Sequence, residues 1–388
     1  MGNKDNILIN PAILKWARES LNLSIQDVAK YIKKDYDTVH AWEEGVKSPT
    51  YIQMEKLAYH LFKRPLALFF FPNPPEEERS DEFFRTISVS PTINISSDTM
   101  LAIRQAKSMR LSLYELKGNE PRKNNLLDLA PLKERNNPNL LANDIRKITG
   151  ISIENQIDWK DSSTALKAWR NALQDNGIFI FKRHFNQKHI SGFCLYDKEF
   201  PIVYLNNSKS FMHQIFTLFH ELGHLLLSKN DLITDESLFR QTNNEQISNE
   251  EYYCNEFASE FLLPSEIIKA ELESFKEIGD NLISEIADKY SVSREMVLLK
   301  LFHLKKFTFK VYTEKVIRIK EAQLKHKKRS GGGDYYATQA TYLGKKYLQI
   351  VFGKYYEGKI GDIQLAEYCN IKTSSISGLE KYAYNDSR

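Results

Sequence analysis

Apolar residues recur every three or four positions along most of the chain, which is the spacing of one face of a helix. Short continuous apolar runs interrupt this pattern at 177–181, 192–195 and 201–206. Such runs, bounded by polar residues, are typical of buried strands. The pattern therefore predicts a mainly α-helical protein that contains one small sheet, with helical regions at both ends of the chain.

The first 75 residues are predicted to form four short helices separated by tight turns. Ser24 followed by Asp27 has the spacing of a reciprocal N-terminal cap, so a helix should begin here. Gly45 should end the third helix, since glycine is common just beyond a helix C-terminus. Two short helices joined by a tight turn, with a supporting helix on either side, are typical of a helix-turn-helix. A protein-interaction module built from the same helices is the alternative.

The most specific motif is an apolar helical segment that contains His220-Glu221-Leu222-Gly223-His224. Because the two histidines lie four residues apart, both imidazoles reach one locus, where a zinc ion can take two nitrogen ligands. Glu221 is then placed to accept a proton from a water on that ion. The alternative is a buried helix with two hydrogen-bonded core histidines.

A zinc hydrolase also needs a third protein ligand and one open position. The next acidic helical segment begins with Glu250 and Glu251. We predict that Glu251 is the third ligand and that Asn255, four residues further on, supports the metal site by hydrogen bonding. Glu250 is the rival ligand, because the spacing from His224 does not separate the two. Cys254 is predicted to lie on the apolar face of this helix.

The run from Phe216 to Leu227, taken with Glu251 through Pro264, resembles the ImmA/IrrE family of zinc metallopeptidases. The matching stretch begins at about Ala142 and ends at Leu263. The resemblance implies a small α+β, zincin-like metallopeptidase domain. Members of that family act in bacteria and their mobile elements, where they cleave a repressor protein and release transcription under stress or DNA damage.

The N-terminal segment resembles the Xre-type helix-turn-helix family. By that resemblance Tyr36, Asp37, Thr38 and Ala41 face the DNA major groove, and Gln26 faces phosphates. The residues that carry the resemblance are Ala29, Val39, Trp42, Glu43, Gly45, Ser48, Pro49, Thr50, Leu57 and Ala58.

Two departures from the Xre pattern concern the DNA contacts. The second helix begins with Ile25, where a polar residue that contacts phosphate is common, and the reading helix offers Asp37 but no arginine. A carboxylate can accept a hydrogen bond from cytosine, but it repels phosphate. Residues 1–75 carry 10 Lys and Arg against 8 Asp and Glu, so we expect weak electrostatic affinity for DNA.

An alanine followed ten positions later by a second apolar residue recurs three times, each time around a short turn. The pairs are Ala29 and Val39, Ala287 and Val297, and Ala366 and Ile376. For the second and third copies, packing alone is the favoured interpretation.

A length of 388 residues is expected to hold several domains. We predict a helix-turn-helix domain at 1–75, a linker and helical connector at 76–141, a metallopeptidase domain at 142–275, a helix-turn-helix-like unit at 276–320, and a basic, glycine-containing hinge with a C-terminal helical segment at 321–388.

Charge and cysteine content restrict the setting of the protein. The chain has a net charge of +4, yet residues 300–329 hold 11 Lys and Arg against 2 Asp and Glu. This stretch is either a basic arm on nucleic acid or a solvated surface. The three cysteines lack paired spacing, so a reducing compartment is expected. No secretory signal or membrane-spanning run is evident, which predicts a cytoplasmic protein without membrane contact.

These observations predict a DNA-binding transcriptional regulator with a zinc-dependent endopeptidase that cleaves a repressor-type protein, in trans or within its own chain. One zinc ion per chain would be held by His220, His224 and Glu251, with Glu221 as the catalytic base. Operator DNA and a protein substrate are the expected partners, and a homodimer would suit two DNA half-sites. The alternatives are a non-catalytic zinc-containing transcription factor and a toxin-antitoxin partner module.

Overall fold

The computed structural model describes residues 6–76, 95–130, 136–187, 190–234, 249–273, 278–325 and 334–384. It divides the chain into two compact units, one of Met1–Thr86 with Ser90–Gln105 and one of Ile87–Val89 with Ala106–Arg388. The chain is mainly α-helical and contains one small sheet, so the predicted fold class is confirmed. The glycines of the predicted basic hinge, at 331–333, lie outside the described residues, as do residues 77–94 and 131–135 of the predicted linker and helical connector.

The N-terminal unit begins with the four predicted helices. They are α1 (Pro11–Glu19), α2 (Ile25–Ile32), α3 (Tyr36–Glu43) and α4 (Tyr51–Glu55), and α4 continues as π-helical turns over Lys56–Phe62. The predicted cap is confirmed, because Ser24 Oγ accepts from the Asp27 N–H at 3.1 Å and Asp27 Oδ2 accepts from the Ser24 N–H at 2.8 Å. A buried ion pair ties α1 to α3, with Arg18 Nε 2.7 Å from Glu43 Oε1.

The larger unit holds the sheet and most of the helices, while α5 (Ser97–Lys117) has residues in both units. The helices before the sheet are α6 (Leu126–Leu129), α7 (Pro138–Thr149), α8 (Ile153–Ile157) and α9 (Ser162–Asp175). The later helices are α10 (Phe211–Leu226), α11 (Asn249–Leu262), α12 (Ser265–Glu273), α13 (Asp280–Lys289), α14 (Arg294–His303), α15 (Phe309–Lys325), α16 (Tyr335–Leu343), α17 (Lys345–Tyr356), α18 (Asp362–Cys369) and α19 (Ile376–Tyr384).

The sheet has four strands in the order β1-β3-β2-β4. The strands are β1 (Phe179–Arg183), β2 (Ile190–Leu195), β3 (Ile202–Asn206) and β4 (Asp231–Thr234). β1 pairs with β3 in parallel, whereas β2 is antiparallel to both β3 and β4. The first three strands confirm the three predicted runs, and every residue of β2 and β3 is buried. β4, the edge strand beside β2, was not predicted from the sequence.

Helix α10 packs on the sheet, and a glycine permits the close approach. A Cβ atom at Gly192 would lie 2.8 Å from the Tyr204 carbonyl oxygen and 2.9 Å from Thr217 Cγ2 of α10. Three aromatic rings then join α9, α10 and α11, because Trp169 lies edge-on to Phe219 at 5.1 Å and to Phe261 at 5.2 Å between ring centroids. These contacts place α10 between the sheet and α11.

The three predicted copies of the turn share one backbone geometry. The residue that begins each turn is left-handed: φ is 58° at Lys33, 52° at Ser291 and 50° at Asn370. The following N–H donates to the alanine carbonyl five residues earlier at 2.9 Å in all three, from Lys34 to Ala29, from Val292 to Ala287 and from Ile371 to Ala366. This hydrogen bond closes a helix end and sets the direction of the next helix.

The helix that follows the turn is buried to a different extent in the second and third copies. In α14 every residue from Glu295 to Leu301 is buried, so the middle copy is a packing element, as favoured from the sequence. In the third copy Ile376 is only partly buried, while Leu379 is fully buried. A 3-10 turn over Thr373–Ser375 precedes this helix and shifts the inward position by three residues. The third copy therefore buries Leu379 where the first copy buries Val39.

The three cysteines are all described and buried, and they form no disulfide. Within the described ranges, every helix is too short or too polar to span a lipid bilayer.

Candidate metal centre

The candidate metal centre lies where α10 and α11 cross. A Cβ atom at Gly223 would lie 3.0 Å from Cys254 Sγ and 3.2 Å from Cys254 Cα. Only a glycine fits this crossing without displacement, so the Gly223 in the histidine motif serves helix packing. The close contact brings the side chains that flank Gly223 on α10 against the first turns of α11.

Both histidines of the motif are buried, and their ligating nitrogens converge. His220 Nε2 and His224 Nε2 lie 3.0 Å apart; the first is 3.3 Å from Glu251 Oε2 and the second is 3.3 Å from Glu251 Oε1. Ligand atoms at about 2.0–2.1 Å from a tetrahedral zinc ion stand about 3.3 Å from one another. Two imidazole nitrogens and one carboxylate at these distances therefore fit a zinc ion.

Asn255 fixes the orientation of the first histidine. Its side-chain oxygen lies 2.9 Å from His220 Nδ1, in the position predicted for a supporting residue. When Nδ1–H donates to this oxygen, the tautomer leaves the Nε2 lone pair directed at the shared locus. The contact links α11 to α10 on the side of the imidazole that faces away from that locus.

The structure separates Glu251 from its rival Glu250. Glu251 is mostly buried against the histidines, whereas the Glu250 carboxylate lies 2.9 Å from Lys229 Nζ and is 36% exposed. Adjacent residues on a helix point about 100° apart, so only one of the two can reach the histidine pair. In this geometry that residue is Glu251.

Burial and hydrogen bonding act in opposite directions on Glu251. Removal from solvent raises the pKa of this carboxyl, but hydrogen bonds and charge from His220 and His224 outweigh it and hold the pKa well below its usual range. The carboxylate is therefore ionised in the metal-free protein. Glu221, the predicted base, is fully buried on α10, beside His220.

Cys254 is a fourth residue at this locus that was not assigned to the site from the sequence. Its sulfur, His220 and His224 offer ligand atoms that all lie within 4.8 Å of one another. The signal was present in the sequence, because Cys254 follows Glu251 by three residues and so shares its helix face. It was instead assigned to the apolar face, where a buried thiol is also common.

A second row of carboxylates on α11 faces α14. Glu256 pairs with His303, and Glu260 pairs with Lys300 in a contact whose side chains are 6% and 2% exposed. Glu260 also accepts from the Ser265 hydroxyl at 2.7 Å. Because these two carboxylates lie four residues apart, they fix the rotation of α11 about its axis. That rotation determines which residues of α11 face the histidines.

The predicted DNA-reading residues lie on the outer side of the helix-turn-helix. Tyr36 is 47% exposed and stacks on His40, and Asp37 is also exposed at the start of α3. Thr38 and Ala41 are partly buried, and Gln26 is exposed on α2. Asp35 caps α3 by accepting from the Thr38 N–H at 2.6 Å. The N-terminal turn of α3 is thus available at the surface.

Two family models match this chain in the positions that the fold indicates. Residues 173–302 match the model described as IrrE N-terminal-like domain, which is a peptidase family. Residues 14–67 match the model described as Helix-turn-helix. Both resemblances predicted from the sequence are confirmed, and the chain joins a helix-turn-helix domain to an IrrE-like peptidase-family domain.

A curated relative points to the same family. The chain is 32% identical over 108 residues to the radiation response metalloprotease IrrE of Deinococcus radiodurans. The match covers 27% of this chain and 32% of that protein, so the chain spans about a third of the relative's length. The similarity therefore concerns a domain.

Proposed function

We propose that the protein is a DNA-binding transcriptional regulator with a zinc-dependent endopeptidase that cleaves a repressor-type protein. The substrate is either a separate repressor or another copy of this chain. The fusion of a helix-turn-helix to an IrrE-like domain supports this proposal, because it would hold a peptidase near promoters. The setting is a stress response or the control of a mobile element, with a cytoplasmic location, where operator DNA is found.

The observation that carries the enzymatic part is the convergence of two imidazole nitrogens and one carboxylate within 3.3 Å. In the proposed centre His220, His224 and Glu251 hold one zinc ion per chain. When bound, the zinc supplies Lewis acidity toward water and toward a peptide carbonyl.

The remaining roles belong to side chains of α10 and α11. Glu221 accepts the proton of the attacking water and returns it to the leaving amine. Its burial strengthens its electrostatic interactions, because the surroundings screen charge less than bulk water does. Asn255 holds the His220 imidazole in one orientation, so that this side chain is already ordered when the metal binds.

The DNA-binding part of the proposal assigns base contacts to Tyr36, Asp37, Thr38 and Ala41 and a phosphate contact to Gln26. A homodimer would read two half-sites one helical turn apart. In binding assays with operators selected in vitro, Gln26→Ala should weaken binding to all sequences alike, whereas Asp37→Ala should change the preferred sequence. Equal effects of both substitutions on every sequence would contradict the assigned roles.

The test of the endopeptidase is mass spectrometry of new protein N-termini in cells, with and without DNA damage. Wild type is compared with Glu221→Gln and with Glu250→Gln, which removes a carboxylate that faces Lys229. New termini should appear with wild type and Glu250→Gln and be absent with Glu221→Gln, and they would identify the substrate. Termini that persist in Glu221→Gln would refute the mechanism. Their absence from all three folded, zinc-loaded proteins would favour a non-catalytic regulator.

A further inference from the structure

The histidine pair faces two residues of α11 that carry metal-binding atoms. Glu251 reaches both imidazoles at 3.3 Å, and the Cys254 sulfur lies within 4.8 Å of a ligand atom of each histidine. Cys254 is fully buried, and its sulfur packs on the backbone of Gly223, between the two histidines. The thiol is therefore part of the wall of the metal locus.

We propose that the Cys254 thiolate is a further ligand of the metal, which gives the centre the donor set of two imidazoles, one carboxylate and one thiolate. The inference rests on the metal-binding part of the proposed function, though not on peptidase activity. It concerns a residue whose chemistry the peptidase mechanism leaves unused.

The distances suit this ligand. With zinc–sulfur bonds of about 2.3 Å and zinc–nitrogen bonds of about 2.0–2.1 Å, sulfur and nitrogen of a tetrahedral site stand about 3.6 Å apart. The sulfur therefore has to approach the imidazole nitrogens by at most about 1.2 Å when the metal binds. Thiolate is also a ligand that zinc favours strongly.

A thiolate ligand has a consequence for catalysis. Structural zinc sites are closed by four protein ligands, whereas catalytic sites keep one position for water. Glu251, Cys254 and the two histidines together make four. The protein would thus rest in a closed, latent state, and the endopeptidase would become active when Cys254 leaves the metal.

The experiment uses the full-length chain with cobalt in place of zinc, because cobalt gives visible absorption and thiolate–cobalt bonds add charge-transfer absorption in the near ultraviolet. Wild type is compared with Cys254→Ala and with Cys254→Ser, in case the alanine variant does not fold. Cys194→Ala is the matched control, since Cys194 is also fully buried but lies on β2 with its sulfur 3.6 Å from the Lys229 carbonyl oxygen.

We expect the charge-transfer band in wild type and in Cys194→Ala. In both Cys254 variants this band should be lost while the visible cobalt bands remain. The Cys254 variants should also produce Glu221-dependent protein termini at a higher rate. Bound cobalt without the band in wild type would overturn the proposal and leave the metal centre intact. Failure of wild type to bind cobalt, or cobalt binding that survives His220→Ala, would instead refute the metal centre itself.

Discussion

The substitution Gly223→Ala tests whether the crossing of α10 and α11 forms the metal site. The added methyl group would lie 3.0 Å from Cys254 Sγ and 3.2 Å from Cys254 Cα and Cβ. These distances are shorter than ordinary contacts, and two of the three atoms belong to or adjoin the backbone. Helix α11 must therefore move by a few tenths of an ångström, and Glu251 moves with it.

The expected cost follows from two opposing terms. Overpacking in a well-packed core costs about 1–3 kcal/mol, while alanine is favoured over glycine inside a helix by about 0.8–1.0 kcal/mol. Gly223→Ala should thus lower the free energy of unfolding by about 0–2 kcal/mol. The matched control is Gly353→Ala in α17, where no described atom lies within 4 Å of the new methyl group. That variant should be about 0.5–1 kcal/mol more stable than wild type.

The assay combines urea unfolding of the metal-free protein with zinc affinity from competition with a chelator. Gly223→Ala should lower zinc affinity about 10-fold or more, as displaced supporting contacts do elsewhere, while Gly353→Ala should leave it unchanged. Adding Cys254→Ala to Gly223→Ala removes the closest contact and should recover part of the lost stability. Equal stability changes at Gly223 and Gly353, or no coupling between Gly223 and Cys254, would refute the packing argument.

Three further predictions concern other residues of the larger unit. Glu251→Gln should reduce zinc affinity more than about 10-fold, whereas Glu250→Gln should not change it; equal losses in chelator competition would contradict the ligand assignment. Asn255→Ala should weaken zinc binding by about 10–100-fold, and unchanged affinity would exclude it as the orienting residue. Burial and repulsion from Arg170 lower the pKa of Lys182 to about 7. Because unfolded lysine titrates near pH 10.4, the unfolded chain binds more protons than the folded chain between about pH 7 and 10. The free energy of unfolding should therefore rise with pH over this range. Lys182→Met should flatten this rise, as measured by urea unfolding at several pH values.

The sequence was sufficient for those features that depend on local spacing. The four N-terminal helices, the Ser24 cap and the facing of His220 and His224 follow from residues within one or two helical turns, and the structure has them as predicted. The choice of Glu251 over Glu250 depends on the rotation of α11, which distant contacts with α14 fix. Spacing along the chain carries no information about that rotation.

Two other features were missed for similar reasons. β4 is four residues long, and it is identified by its pairing with β2. The inward residue of α19 is Leu379, because an added 3-10 turn changes the register of the third repeated turn. A periodic pattern shows which faces of a helix or strand can be buried. Which of those faces is buried depends on the element that packs against it.

The paired carboxylates on the outer row of α11 have a consequence for how the molecule can be divided. A fragment that contained α10 and α11 but ended before α14 would remove His303 from Glu256 and Lys300 from Glu260. Two carboxylates would then remain without these partners on a surface that α14 covers in the full chain. Removing one member of a buried ion pair lowers the free energy of unfolding by about 3–5 kcal/mol. Helix α11 would also lose the contacts with α14 that help to fix its rotation. A minimal zinc-binding fragment must therefore extend beyond His303, which follows Glu251 by 52 residues.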